Sequence, residues 1–257
     1  MNIAELKKLV PSYVTDIAKV LREANYEAYL VGGCLRDILL GKVPGDYDVA
    51  TNAYPEEIEK LFPKSIPTGA KFGTITVVCE DEQGERFDVE VTTYRSEADY
   101  MGGRWPTKVE FARTIEEDLS RRDFTINAMA LDLAKLLALE LDEIPDQSQN
   151  VSVADLVIDP FGGMKDLEAK IIRAVGNPVE RFSEDGLRPM RGCRLASQLG
   201  FEIEPETFSA MRETNHITKM VSMERLRDEL MKLLLKSPKP SKGCLLYTSP
   251  SPRDRQK

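Results

Sequence analysis

Apolar residues first recur at a helical spacing: Val14, Ile17, Ala18 and Leu21 stand at i, i+3, i+4 and i+7 and predict an amphipathic helix. The next apolar run, Ala28 to Val31, is too short for a helix. It leads into Gly32-Gly33, after which Cys34 to Leu40 reads as a helix stopped by Gly41. Pro44-Gly45 turns the chain into a second short strand, Tyr47 to Ala50, and Asn52 and Pro55 open a helix through Leu61. Alternation over Thr74 to Glu80 and Glu85 to Tyr94, with Gly84 in the turn, predicts a hairpin. Ser96 to Lys108 is polar and glycine-bearing and predicts a loop, whereas Ile115 to Leu133 reads as mainly helical. Ala134 to Val157 is mixed, with an acidic centre, and reads as a surface insertion. After Pro178 the pattern is helical with a break at Gly200. This predicts an α/β part over residues 1–173 and an all-α part over 174–243. The last fourteen residues, 244–257, have no helical period and are dense in Ser, Pro and Arg. They are expected to be a non-native tail, which makes the chain a C-terminally truncated fragment.

Composition narrows the class. At 42% hydrophobic and 30% charged residues the chain is a globular one with material for a core. No apolar run is long enough for a membrane span, and the start lacks a secretory h-region, so a cytoplasmic protein with no membrane partner is expected. Four cysteines without paired spacing fit reduced thiols, and a single histidine, His216, argues against His-based metal sites and a Ser-His-Asp triad. The net charge of −8 argues against a nucleic-acid binder, but the acidic excess lies before residue 174 and the stretch after it is slightly basic. The first part has carboxylates for cations; the second can meet phosphate locally.

Four constellations carry chemistry. In VGGCLRDILLGKVPGDYDVAT a strand, a Gly-Gly turn and a helix aim backbone N–H groups at an anion, and Arg36 adds a fork for phosphate. Asp46 and Asp48 follow at a strand start, on one side and about 7 Å apart along the strand; together they suit a hard cation such as Mg²⁺. In the strand Phe87 to Val91 the alternation turns Asp88 and Glu90 away from the apolar side. Glu90, with Asp88 as the alternate, is the candidate third carboxylate of a two-metal site. In EEDLSRRDFTINAMA, Arg121 and Arg122 can meet a triphosphate while Asp123 and Asn127 can bind ribose hydroxyls. In RFSEDGLRPMRGCRL, Ser183 to Asp185 reads as a cap, and Asp185 and Arg188 share a helix face at i, i+3. Cytosine and adenine both present an amino donor beside a ring-nitrogen acceptor; uracil and guanine present the reverse order. One Asp/Arg pair therefore suits C and A and rejects U and G, whose polar groups it would leave unpaired. Arg191 and Arg194 continue at steps of three and can hold phosphate or order the helix.

The segments GGCLRD, GDYDVAT, GTITV, VEVTTYR, RRDFTINA, IDPFGG, EDGLRPMRGCR and SMERLRDEL, in that order, resemble a class II tRNA nucleotidyltransferase, the CCA-adding enzyme and poly(A) polymerase family. The resemblance runs from about residue 14 to 243. It implies a polymerase-beta-like α/β head with a mixed sheet, followed by an all-α neck. It also implies attack of an RNA 3′-hydroxyl, the tRNA acceptor end, on the α-phosphate of CTP or ATP with Mg²⁺. By the same resemblance Asp46 and Asp48 are the metal ligands, and Glu90 is the third carboxylate. Gly33, Arg36 and Arg122 are triphosphate contacts, and Asp123 and Asn127 read the sugar. Asp185 and Arg188 pair with the incoming base, supported by Arg191 and Arg194. Trp105 stands where the family's loop often has a second Arg. Full CCA addition is the leading expectation; A-only addition and poly(A) synthesis are the alternatives. Outside the class stand a DxD sugar-nucleotide glycosyltransferase and an inactive nucleotide- or RNA-binding fragment. The oligomeric state is left open.

Overall fold

The structure, a computed structural model of the 257-residue chain, describes residues 1–80, 84–96, 110–140 and 151–248. The chain divides into two compact units. One comprises Met1–Glu97, Val109–Arg121 and Asn127–Pro160; the other includes Arg122–Ile126 and everything from Phe161 onward. That differs from a single cut at 173: the five residues Arg122–Ile126 belong with the later part of the chain, because Thr125 N–H donates to the Arg173 carbonyl and Val175 N–H to the Asp123 carbonyl.

The first unit is built on a seven-stranded sheet. Its elements are α1 (Ile3–Leu9), α2 (Ser12–Glu23), β1 (Tyr29–Val31), α3 (Gly32–Leu39), β2 (Asp48–Thr51), α4 (Pro55–Leu61), β3 (Ser65–Gly69), β4 (Thr74–Glu80), β5 (Arg86–Thr93), α5 (Ile115–Ser120), β6 (Ala130–Asp132), α6 (Leu133–Glu140), α7 (Val153–Leu156) and β7 (Val157–Ile158). The strand order is β3-β4-β5-β2-β1-β6-β7. Every neighbouring pair is antiparallel except β2 and β5, which run parallel at the centre. The sheet is thus mixed. The predicted stripe of α2 is buried through Val14, Ile17, Ala18 and Leu21, and α3 buries Cys34, Leu35 and Ile38.

Two expectations are corrected here. Ile115 to Leu133 is not mainly helical: α5 ends at Ser120, a 3-10 turn covers Thr125–Asn127, and Ala130–Asp132 pairs with β1. Phe124, Ile126 and Ala128 through Leu131 are all buried, and a run buried on every side carries no period by which helix and strand differ. Ala134 to Val157 is not only a surface insertion. It begins in α6, which buries Leu136 and Leu137, and ends in β7, which pairs with β6; residues 141–150 lie outside the described residues. The sheet also has an edge strand, β3, that the alternation did not announce.

The second unit comprises α8 (Gly163–Ala169), β8 (Ile171–Ile172), α9 (Pro178–Glu184), α10 (Arg188–Leu199), β9 (Glu202–Ile203), α11 (Pro205–Glu213), α12 (Met223–Lys236) and α13 (Pro240–Thr248). It is helical but not all-α: β8 and β9 form a small parallel sheet. Helix α13 runs through Thr248, so the stretch from Cys244 starts as helix rather than as an irregular tail; residues 249–257 lie outside the described residues. Of α12, only Glu229 and Leu233 are buried, and Leu230, Met231, Leu234 and Leu235 are exposed.

Candidate active site

In the first unit the candidate site begins at the Gly-Gly turn. Gly32 opens α3 at φ 77°, a left-handed conformation that glycine adopts without strain. At Gly33 an added Cβ would lie 3.5 Å from Arg36 Nη2, so the Arg36 guanidinium folds back over the start of its own helix. Arg36 is 9% exposed. Its Nη1 donates to Asn127 Oδ1 at 2.9 Å and its Nε to Asp37 Oδ1 at 2.9 Å. Two residues expected from separate motifs, Arg36 and Asn127, are thereby joined.

The carboxylates lie on the central strands. Asp48 opens β2, and in the parallel register its partner on β5 is Glu90. Residues in register on adjacent strands send their side chains to the same face. Along β5 burial alternates, with Phe87, Val89 and Val91 inward and Asp88 and Glu90 exposed. Asp46 is exposed in the bend just before β2. The Asp48 backbone is anchored by Cys34, whose Sγ accepts from Asp48 N–H at 3.4 Å and donates to the Val31 carbonyl at 2.9 Å. Burial, with the nearby Asp48 charge, pushes that thiol up to about 12, so it stays protonated as a donor. Asp88, the alternate third carboxylate, is taken by Arg86 at 3.1 Å. Asp46 and Asp88 line an open cleft of about 370 Å³ together with Tyr13, Tyr47, Arg86 and Phe87.

The donor set of Asp46, Asp48 and Glu90 is all oxygen, which fits a hard divalent cation. The fit rests on donor type and strand register. Among the described residues no three Asp, Glu, His or Cys side chains are gathered closely enough to hold a metal ion.

The polar residues of RRDFTINA are divided between the two units. Arg121 serves the first unit: its guanidinium donates to buried Asp118 at 2.5 Å and to the Arg95 carbonyl at 3.0 Å. Asp118, which also accepts from Arg95 N–H at 3.1 Å, ties down the start of the Ser96 to Lys108 loop. Its only sequence signal was its place in the first turn of a capped helix. The loop itself, Trp105 included, lies outside the described residues, Ser96 excepted. Arg122 is half-buried. Asp123 belongs to the second unit, where its Oδ2 accepts from Arg191 Nε at 2.7 Å. The Asp123 charge pushes the Arg191 guanidinium higher still, so Arg191 stays charged.

The pair expected to read the base, Asp185 and Arg188, is placed differently from the sequence expectation. Asp185 is not the cap of a helix shared with Arg188. Helix α9 ends at Glu184, and Asp185 links it to α10, which begins at Arg188. Asp185 Oδ1 accepts from Leu187 N–H at 3.0 Å, and Oδ2 accepts from Arg225 Nη2 at 2.7 Å. Gly186 makes this link possible, since a Cβ there would meet the Ile217 carbonyl oxygen at 2.7 Å. Arg188 is 8% exposed and donates to the Arg181 carbonyl at 2.7 Å and to Glu184. Arg194 reaches buried Glu229 on α12 and donates to Gln198 at 2.7 Å. Arg225 was not singled out from the sequence: in the charged run Glu224 to Glu229 an arginine reads as part of a solvated helix face.

Comparison with known proteins places this arrangement. Residues 28–173 match the family described as the Poly A polymerase head domain, and residues 200–246 match one described as a probable RNA and SrmB-binding site of polymerase A. The CCA-adding enzyme of Ligilactobacillus salivarius is 45% identical over 236 residues, 91% of this chain and 51% of that protein. That of Streptococcus mutans is 46% identical over 244 residues, covering 93% and 54%. The chain spans about half the length of the curated relatives it matches. Among solved structures, the Bacillus stearothermophilus CCA-adding enzyme in complex with CTP superposes with a TM-score of 0.75 at 37% identity, over 91% of this chain and 51% of that one. The Thermotoga maritima CCA-adding enzyme complexed with tRNA superposes at 0.68 and 27% identity, over 95% and 52%. With the head match covering more than half of the chain, and with a mixed sheet that carries the carboxylates on its central parallel strands, this chain belongs to the poly A polymerase head domain family.

Proposed function

We propose that the chain carries the nucleotidyl-transfer and base-reading parts of a tRNA 3′-terminal CCA-adding enzyme. The observation that carries this reading is the parallel register of Asp48 with Glu90 beside the Gly-Gly turn. It gives two carboxylates on one face, with Asp46 in the bend before them, next to a helix start that favours anions.

In this reading Asp46, Asp48 and Glu90 hold Mg²⁺, which when bound neutralises the triphosphate and activates the attacking hydroxyl. Arg36, over the start of α3, takes triphosphate oxygens, and Asn127 keeps its guanidinium in place. The RNA 3′-oxygen forms the new bond to the α-phosphorus of CTP or ATP as the bond to the bridging oxygen breaks, and pyrophosphate leaves. In the second unit Asp185 accepts from the amino group shared by cytosine and adenine, and Arg188 donates to the ring nitrogen. The slightly basic stretch after residue 173 can meet RNA phosphate locally.

The test is incorporation of labelled CTP and ATP into tRNA ending before CCA. The whole chain is expected to add C before A. Asp46→Ala, Asp48→Ala and Glu90→Ala are each expected to lower incorporation at least about a hundredfold, since a metal ligand contributes several kcal/mol of transition-state stabilisation. Asp88→Ala is expected to retain activity. Incorporation of ATP alone, in long runs, would place the chain with the poly(A) polymerases instead. Wild-type incorporation by Asp48→Ala or Glu90→Ala would remove the carboxylate assignment.

A further inference from the structure

Helix α12 meets the base-reading segment at two points one helical turn apart. Glu229, 3% exposed, takes Arg194, and Arg225 donates to Asp185 Oδ2 at 2.7 Å. We infer that Arg225 is the positioning residue that orients the Asp185 carboxylate for base selection, an inference that rests on the reading of Asp185 given above.

The argument is one of acceptor geometry. A carboxylate oxygen offers two lone-pair directions. In Asp185, Oδ1 spends one on Leu187 N–H at 3.0 Å and Oδ2 spends one on Arg225 at 2.7 Å. The two bonds grip the carboxylate from both ends, one from its own backbone turn and one from another helix, and so set its plane. The remaining lone pair on each oxygen is aimed by that plane. With Leu187 N–H alone, the carboxylate can swing about the bond it keeps. It then accepts from donors in more than one position, and the order of donor and acceptor along the base edge no longer decides which base fits.

Arg225 is suited to the role. Its side chain is 28% exposed and that of Asp185 is 23%, so the pair is screened less than a surface ion pair. Its own helix start is capped by Ser222 Oγ, which accepts from Arg225 N–H at 3.5 Å. The planar guanidinium holds a carboxylate in a defined plane, which a lysine ammonium does not. Arg188, by contrast, is held by Glu184 and the Arg181 carbonyl, so its position does not depend on Arg225.

The experiment measures dissociation constants of the whole chain for CTP, ATP, UTP, GTP and pyrophosphate by calorimetric titration in Mg²⁺, for the wild type, Arg225→Ala, Arg225→Lys and Asp185→Ala. Arg225→Ala is expected to cut the preference for CTP and ATP over UTP and GTP roughly tenfold or more, the worth of one oriented hydrogen bond to a charged group. Pyrophosphate affinity is expected to move less than about twofold, because pyrophosphate has no base to read. Arg225→Lys is expected to restore part of the preference and is the second variant should the alanine chain fail to fold. Loss of affinity for all five ligands alike would overturn the inference, since that marks a purely structural role. If Asp185→Ala loses the preference and Arg225→Ala keeps it, the positioning role is wrong and the base-reading assignment stands. If Asp185→Ala keeps the preference, the base-reading assignment itself is wrong and the inference goes with it.

Discussion

The bond between Arg36 and Asn127 shows how the arginine proposed to take triphosphate oxygens is kept in place at the level of single side chains. Arg36 is nearly buried, and its five N–H donors must find acceptors; Asn127 Oδ1 and Asp37 Oδ1 supply two. Removing an acceptor from a buried charged donor costs more than the hydrogen bond contributes, because the donor is left unsatisfied. Asn127→Ala is therefore expected to lower stability by about 1–3 kcal/mol in urea unfolding. Asn127→Asp, which keeps an acceptor, is expected to lose less. An alanine variant as stable as the wild type would mean that Asn127 does not hold Arg36. Such pairings across 91 positions of chain are what the amino-acid sequence does not display. It identified Arg36 and Asn127 as polar residues of interest from separate motifs, but their partnership depends on how α3 and the turn at Thr125–Asn127 come together.

At the scale of elements, charge placement gives one helix a pH dependence. Glu204 caps α11. Its Oε2 accepts from Thr207 N–H at 2.8 Å and from Thr207 Oγ1 at 2.7 Å, and its Oε1 pairs with Arg173 at 3.1 Å. Burial pushes its carboxyl upward, but the Thr207 bonds and the Arg173 charge outweigh it and hold it below the usual range. A carboxyl depressed in the folded state contributes stability above its unfolded value, about 4.3 for glutamate. That contribution fades as the pH falls through the folded value. The thermal midpoint is expected to fall on acidification from pH 6 toward 3, and Glu204→Gln to flatten that fall; an unchanged slope would show that the cap carries none of it. Elements of this kind were unevenly legible. β1, α3, β2 and the β4–β5 hairpin stood out because short apolar runs sat between glycine turns, and period and punctuation agreed. β6 did not, because the run it closes is buried throughout and carries no period. β8 and β9, of two residues each, pair only through contacts between Ile171–Ile172 and Glu202–Ile203, distant in sequence.

At the scale of the molecule, the distribution of charge sets a problem that a cation solves. The chain carries −8 overall, the acidic excess lies in the first part, and the candidate site adds Asp46 and Glu90 exposed on its surface. A nucleoside triphosphate is itself strongly anionic. Each like-charge pair at about 4 Å costs about 1 kcal/mol even in bulk water and more near a protein surface, so several pairs together oppose binding by at least tenfold. Arg36 offsets part of this, but its guanidinium is already shared with Asp37 and Asn127. Binding of CTP to the whole chain is therefore expected to weaken by about tenfold or more when Mg²⁺ is removed with EDTA. The same electrostatics predicts an opposite response when the carboxylates are neutralised. A chain carrying Asp46→Asn, Asp48→Asn and Glu90→Gln together loses both the repulsion and the proposed cation ligands. It is expected to bind CTP in EDTA more tightly than the wild type does, with little further gain from Mg²⁺, while incorporating no nucleotide. Asp46 and Glu90 are exposed, so the amides disturb little packing, and a normal unfolding curve would establish that the chain is intact. If the triple variant instead kept the full Mg²⁺ dependence of binding, the cation would be held by other groups, and the two central strands would have to yield the metal site to another part of the molecule.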